Sequence, residues 1–369
     1  MIFSTTYEES RDSFLEKGQH LKSSWTQVDY AHIPLPDAPE VSMDYLSAKP
    51  LVPEKMVVLS AGLHGIEGYV GAAMIELFIE QFIRELDPQT TGITLIHAVN
   101  PWGMKYLRKV NEHNVDLNRN FIWDWNVSAD LANPDYNALR PFFQPNRSGN
   151  ILFGAGFVQA LLQKGAKGVE RALTLGQYAE PEGVFYGGAT YQFQTQEMIK
   201  LFNLIFSEYQ QVLFLDLHTG YGPRDSMYLV NSPYERKSAA YWQEKFSYPF
   251  VVQTAGEQFY EIHGDMINYL YLLQQHQYPA VQLFASTLEF GTLGDSTPAR
   301  IHSLKTTIDE NYVYHHSSKQ MGGEAKAKEK LLALYYPRDE SWRQKAIADA
   351  KTAFRGIISQ RKLGLRQAF

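Results

Sequence analysis

Two side chains able to hold a metal ion, His64 and Glu67, stand three residues apart in the glycine-flanked stretch SAGLHGIEG at 60–68. Imidazole nitrogen and carboxylate oxygen are ordinary zinc ligands, and catalytic zinc sites often take two histidines and one glutamate, leaving a further position open. His218, in LDLHTG, ends a later apolar run and offers the third ligand. Glu289, in FASTLEFGT, puts a carboxylate among small and apolar residues, where it is costly unless paired, hydrated or working. Near an activated water it could act as general base. In VDLNRNF, Asn118 and Arg119 are polar residues between apolar ones, and an arginine fork grips a carboxylate with two parallel hydrogen bonds. Arg108, earlier in the same stretch, brings a second positive charge.

Plainer readings stand beside these. With 11 histidines in the chain, a glutamate three residues after one arises by chance about once. His113 and Asp116 in HNVD form a rival pair. Arg119 could belong to a solvated loop with ordinary salt bridges, and Glu289 to a buried ion pair.

The elements that must position these residues follow from periodicity. Helical spacing runs from about Tyr7 to Leu21, and WTQVDYAHIPL and VSMDYLSAK alternate like two strands. KMVVLSAG reads as a buried strand ending in glycine. Met74, Leu77, Phe78, Phe82 and Leu86 then form a helical stripe, and GITLIHAVNP is another buried strand. That order is a βαβ unit and implies a parallel pair. QVLFLDLHTG, SMYLVNS, PFVVQTAG and AVQLFASTLEFGT are further strands, with helices at SAAYWQEKF and DMINYLYLLQQH and two more at the end. The fold class is therefore α/β: a central mixed, mostly parallel twisted sheet flanked by helices, in a single domain spanning 1–369. An N-terminal helix and hairpin occupy about 1–50 and a helical extension about 323–369. A Pro-, Gly- and Asn-rich insertion at about 122–198 suits a lid or a homo-oligomer contact. Ligands of such sheets sit outside the carboxyl ends of the strands. His64, Glu67, His218 and Glu289 all fall there, so one shared site is expected.

Composition narrows the classes. The 369 residues are 44% hydrophobic and 20% charged with net charge -6, and no basic stripe points to nucleic acid. The absence of cysteine excludes disulfides, iron–sulfur clusters and a thiol nucleophile. No signal peptide and no membrane span are legible, so a cytoplasmic location is expected.

Taken in order from about Lys55 to Gly294, these pieces resemble the zinc carboxypeptidase family. HGIEG resembles its HxxE motif, NPWG its Asn-Pro-x-Gly turn, VDLNRNF its carboxylate clamp, LDLHTG its third-ligand strand and TLEFGT its catalytic glutamate. The resemblance implies one Zn²⁺ on His64, Glu67 and His218, with Glu289 as general base. It implies that Asp116 hydrogen-bonds the His64 ring, which also accounts for the rival pair. Asn118 and Arg119 would hold the substrate's terminal carboxylate. Arg108 resembles the oxyanion-stabilising arginine, although its spacing to DLNRN is shorter than in the digestive enzymes. Tyr260 would fold over the bound substrate and Ile267 would floor the side-chain pocket. The implied activity is a metallocarboxypeptidase removing a C-terminal residue from a peptide. The alternatives are an N-acyl amino acid amidohydrolase of the aspartoacylase or succinylglutamate desuccinylase type, and a non-catalytic metal- or ligand-binding relative.

Overall fold

The run KMVVLSA has no polar residue between Lys55 and Ser60, and such a strand must be covered on both faces. It becomes β3 (Lys55–Ala61), inside an eight-stranded sheet. The computed structural model describes residues 2–126, 132–145, 150–254, 263–316, 323–360 and 363. The other strands are β1 (Gln27–Leu35), β2 (Ala38–Lys49), β4 (Thr91–Ile96), β5 (Gln211–Gly220), β6 (Met227–Asn231), β7 (Val251–Gln253) and β8 (Gln282–Gly291), in the order β1-β2-β4-β3-β5-β8-β6-β7. The inner strands β4, β3, β5 and β8 run parallel. Antiparallel pairs flank them at β1–β2, β2–β4 and β6–β8. The expected α/β class and the βαβ unit at 55–96 are both present.

Helices α1 (Tyr7–Gly18), α2 (Gly68–Gln81) and α3 (Pro101–Tyr106) precede the insertion. α2 is buried from Gly68 to Ile79, so it is apolar around most of its circumference. It ends before Phe82, short of the stripe read to Leu86. Phe82 instead stacks on Phe78 and packs against Phe354, and a single 3₁₀ turn, Ile83–Glu85, carries the chain on to a buried Leu86.

The insertion contains α4 (Pro134–Ala138), α5 (Arg140–Phe143) and α6 (Asn150–Thr174). Tyr136, Phe142, Phe143 and Val169 give it a small core of its own. That core is shared with Leu304 and Ile308 of a later helix. The insertion ends sooner than Met198, because α7 (Phe193–Glu208) sends Met198, Phe202 and Phe206 into the main core. Then follow α8 (Ala239–Phe246), α9 (Met266–Gln277), α10 (Thr297–His316), α11 (Gly323–Tyr335) and α12 (Glu340–Gln360). α10 supplies Leu304 and Ile308. No described helix is long and apolar enough to cross a membrane.

Candidate metal centre

Beyond β3 the backbone turns at Gly62, whose φ of +66° favours glycine. His64 is extended, Gly65–Glu67 form a single 3₁₀ turn, and Glu67 leads into α2. A helix N-terminus favours negative charge, so this position suits an ionised carboxylate. The turn is held from the next βα connection. Ile66 N donates to Arg108 O at 2.9 Å, and Gly65 N to Lys109 O at 3.3 Å. Asn100 Oδ1 accepts from Gly103 N at 2.8 Å, which shapes the NPWG turn. A Cβ on Gly65 would lie 2.2 Å from the carbonyl carbon of Gly103, so the HGIE and NPWG motifs pack backbone to backbone.

β5 carries His218 to the same carboxyl end of the sheet. There it pairs in register with Glu289 of β8, so both side chains project from one face. His64 Nδ1 lies 2.9 Å from Glu67 Oε1 and His218 Nδ1 lies 3.0 Å from Glu67 Oε2. The outer nitrogens are also held: His64 Nε2 is 3.0 Å from Asp116 Oδ1, and His218 Nε2 is 2.5 Å from Asp216 Oδ2. The two rings meet edge to face with centroids 5.0 Å apart.

This arrangement fits a metal ion. Each imidazole has both nitrogens against carboxylates, yet a neutral ring carries one proton. Four N···O contacts can all be hydrogen bonds only if both rings are cationic. A divalent ion at the Nδ1 side removes the conflict: each Nδ1 lone pair and the Glu67 carboxylate face it, while each Nε2–H stays on its aspartate. The ligand atoms of His64, Glu67 and His218 lie within 4.8 Å of one another, and zinc bonds of roughly 2.1 Å put donors about 3–3.5 Å apart.

Burial alone would raise the Glu67 carboxyl, but the two imidazoles hold it far below the usual range. Asp116 behaves alike: burial is outweighed by His64, Lys109 and Arg119. For His218, burial would strip the proton, but Asp216 and Glu67 push the pKa well above its ordinary value.

Asp216 has no counterpart among the motif assignments. The signal for it was in LDLHTG: two residues before His218 on one strand, it shares that residue's face. Its other oxygen accepts from Ser60 Oγ of β3 at 2.6 Å. Asp216→Asn should weaken ion binding about 10–100-fold, because the outer carboxylate fixes tautomer and ring orientation. Competition with a chromophoric chelator measures this, and unchanged affinity would remove Asp216 from the site.

A cavity of about 390 Å³ opens onto these ligands, lined also by Glu289, Lys109, Asn118, Arg119 and Asp265. Glu289 Oε1 accepts from Tyr221 N at 2.8 Å. Burial, followed by the charge of Glu67, pushes its carboxyl up to about 7. Asn118 and Arg119 both have protein partners. The Asn118 amide donates to Asp265 Oδ2 and accepts from Met266 N, which fastens the start of α9. Arg119 donates from Nη1 to Thr174 O and from Nη2 to Leu173 O, at the carboxyl end of α6. Lys109, adjacent to Arg108, is half-buried on the cavity wall. Burial would lower its pKa, but Tyr335, Asp116 and Glu67 outweigh that and hold the ammonium above its ordinary value.

Arg108 and Ile267 lie elsewhere than expected. Arg108 is buried against α10, paired through Nε with Glu310 Oε1 at 2.7 Å and stacked 3.6 Å from the Tyr314 ring centroid. It does not line the cavity. The expectation that it stabilises an oxyanion is corrected by this pairing. Arg108→Met should cost about 3–5 kcal/mol in denaturant unfolding by stranding Glu310, with ion affinity unchanged. Ile267 is buried in the main core in the first turn of α9. Asp265 caps that helix and sets its phase, so Asp265, not Ile267, faces the cavity. Tyr260 lies outside the described residues.

A family model described as "Protein of unknown function (DUF2817)" matches residues 3–349. The chain belongs to that family. No curated protein matches this DUF2817 chain. Among solved structures it is similar to bovine thrombin-activatable fibrinolysis inhibitor in complex with tick carboxypeptidase inhibitor, at 12% identity and TM-score 0.47 over 89% of this chain and 96% of that one. It is also similar to carboxypeptidase A from Helicoverpa armigera, at 12% identity and TM-score 0.43 over 91% and 75%. Succinylglutamate desuccinylase from Chromobacterium violaceum matches at 14% identity and TM-score 0.36 over 88% and 77%. Likeness this remote is silent on chemistry, so the function of this DUF2817 chain has to be argued from its own site.

Proposed function

We propose that this chain is a zinc-dependent hydrolase that cleaves an amide bond next to a free carboxylate. One observation carries the reading. Two imidazole Nδ1 atoms converge on the Glu67 carboxylate, each with its Nε2 on a buried aspartate, while Glu289 stands beside His218 on the neighbouring strand. Two nitrogens and one carboxylate match the donor set that zinc favours in catalytic sites. When bound, such an ion supplies Lewis acidity and makes water a usable nucleophile near neutral pH.

The chain's own residues do the rest. Glu289 removes a proton as the water oxygen bonds to the amide carbon and the carbonyl π pair moves onto its oxygen. When that pair returns, the C–N bond breaks and Glu289 passes its proton to the departing nitrogen. Asp116 and Asp216 keep both rings oriented throughout. The cavity wall carries cations, which suits an anionic substrate such as one with a free carboxylate.

A C-terminal amino acid on a peptide and an N-acyl amino acid both present such a carboxylate. The carboxypeptidase reading takes the first. The second is favoured by α6, whose last residues, Leu173 and Thr174, form part of the cavity wall and already fill the Arg119 fork. A panel of short peptides, their C-terminal amides and N-acyl amino acids should separate the two. Hydrolysis should stop with chelator and return with zinc. Chelator-resistant cleavage, or cleavage of amidated and free peptides alike, would defeat the proposal.

A further inference from the structure

We propose that Lys109, the neighbour of the diverted Arg108, is the side chain that meets the negative charge developing on the substrate's carbonyl oxygen. The inference rests on the hydrolase reading and supplies a group that reading lacks. Arg108 is committed to Glu310 and Tyr314 and does not line the cavity.

Among the described residues, three Lys or Arg side chains line the cavity: Lys109, Arg119 and Arg300. Arg119 spends both terminal nitrogens on the carbonyls of α6. Arg300 is exposed and beside Tyr221, with Nη2 3.4 Å from the Tyr221 hydroxyl. Lys109 differs from both. Among the described residues its ammonium makes no hydrogen bond and no ion pair, and Nζ lies 6.0 Å from the Tyr335 ring centroid. Its three N–H donors are therefore available to a substrate anion.

Its backbone is fastened where an oxyanion partner is needed. Lys109 O accepts from Gly65 N at 3.3 Å and from Asn100 Nδ2 at 3.4 Å, and the preceding carbonyl, Arg108 O, accepts from Ile66 N. Lys109 therefore emerges from the residues that hold the His64–Glu67 turn. The anchored backbone fixes where the side chain starts, and its four-carbon stem carries the ammonium into the cavity that holds the metal ligands. In the hydrolytic step the carbonyl π pair comes to rest on oxygen beside this ammonium, which keeps its proton. The pair then re-forms C=O as the C–N bond breaks.

The test uses full-length, zinc-loaded protein and the variants Lys109→Met and Lys109→Arg. Lys109→Met should lower kcat about 10²–10³-fold with KM changed by less than about threefold and zinc content unaltered. Lys109→Arg should restore at least about tenfold of that loss. A merely structural lysine would instead lower the thermal midpoint together with activity and show no preference for arginine. Inorganic phosphate, a tetrahedral oxyanion, serves as a binding probe by calorimetry. Its Kd should rise at least about tenfold in Lys109→Met.

Unchanged kcat, or unchanged phosphate affinity in Lys109→Met, overturns the proposal. If the wild type hydrolyses nothing in the panel, the hydrolase reading fails, and the phosphate arm alone decides whether Lys109 contacts anions. Should Lys109→Met not fold, Lys109→Gln replaces it; failure of both to fold assigns Lys109 to the scaffold and overturns the proposal too.

Discussion

Glu289→Gln should keep its ion and lose about 10²–10⁴-fold in turnover, the range typical of a positioned general base. The amide keeps the shape of the carboxyl, and its oxygen can still accept from Tyr221 N, as Glu289 Oε1 does at 2.8 Å. What it lacks is the ability to take the proton from water. The pH profile gives a second readout. Burial, and then the charge of Glu67, push the Glu289 carboxyl up to about 7, with His218 opposing. A base works when deprotonated, so kcat/KM should rise with pH through the pKa of Glu289. A divalent cation on Glu67 favours the carboxylate, which moves this acid limb below 7 in the loaded enzyme. Residual activity of Glu289→Gln should show no such limb. Full turnover in the variant, or loss of its ion, would refute the role.

Stripping the ion should abolish turnover and lower the thermal midpoint, and the gap in midpoint should widen as pH rises from about 6 to 9. The sign follows from His218, whose pKa Asp216 and Glu67 raise against the effect of burial. Stability from a raised imidazole is fully present below its ordinary pKa and disappears as pH climbs through the raised one. The metal-free protein therefore loses this contribution on the alkaline side. Glu67 and Asp116, held far below the usual carboxylate range, stay ionised across the window and lose their contribution only in strong acid. Protons compete with the ion for Nδ1, so ion binding tightens over the same interval. At about 100 times Kd the ion contributes roughly 2.7 kcal/mol. Thermal scans with and without chelator across the range measure the gap; a gap that is constant or narrows with pH contradicts an imidazole-ligated ion.

The inner sheet was legible because its strands are apolar on both faces, and period and length are enough to identify β3, β4, β5 and β8. The strand-end rule then gathered His64, Glu67, His218 and Glu289. What escaped depends on partners far away in sequence. Arg108 pairs with Glu310, 202 residues on, and nothing local distinguishes a buried arginine from a working one. The partner lies on α10, whose larger aliphatic residues, Ile301, Leu304, Ile308 and Val313, are spread among threonines and histidines, so its helical period is faint. Lys109 went unnoticed for the same reason: whichever of two adjacent cations faces the cavity is decided by which one α10 captures. Asp216 was within reach, since two residues along a strand is a shared face.

The close approach of the HGIE and NPWG turns gives two glycines of one turn different evolutionary fates. At Gly68 an added Cβ would meet the Met104 sulfur at 2.8 Å, the far end of a flexible side chain, and the Gly62 Cα at 3.3 Å, which a shift of a few tenths of an ångström relieves. A change there can be rescued by a second change at Met104, so the two codons can drift together. At Gly65 the collision is with Gly103 and Met104 main-chain atoms, 2.2–2.4 Å away, which every amino acid shares. No replacement at 103 or 104 removes them. In a selection with both positions randomised, alanine at 68 should recur with small residues at 104, while codon 65 returns glycine in every background.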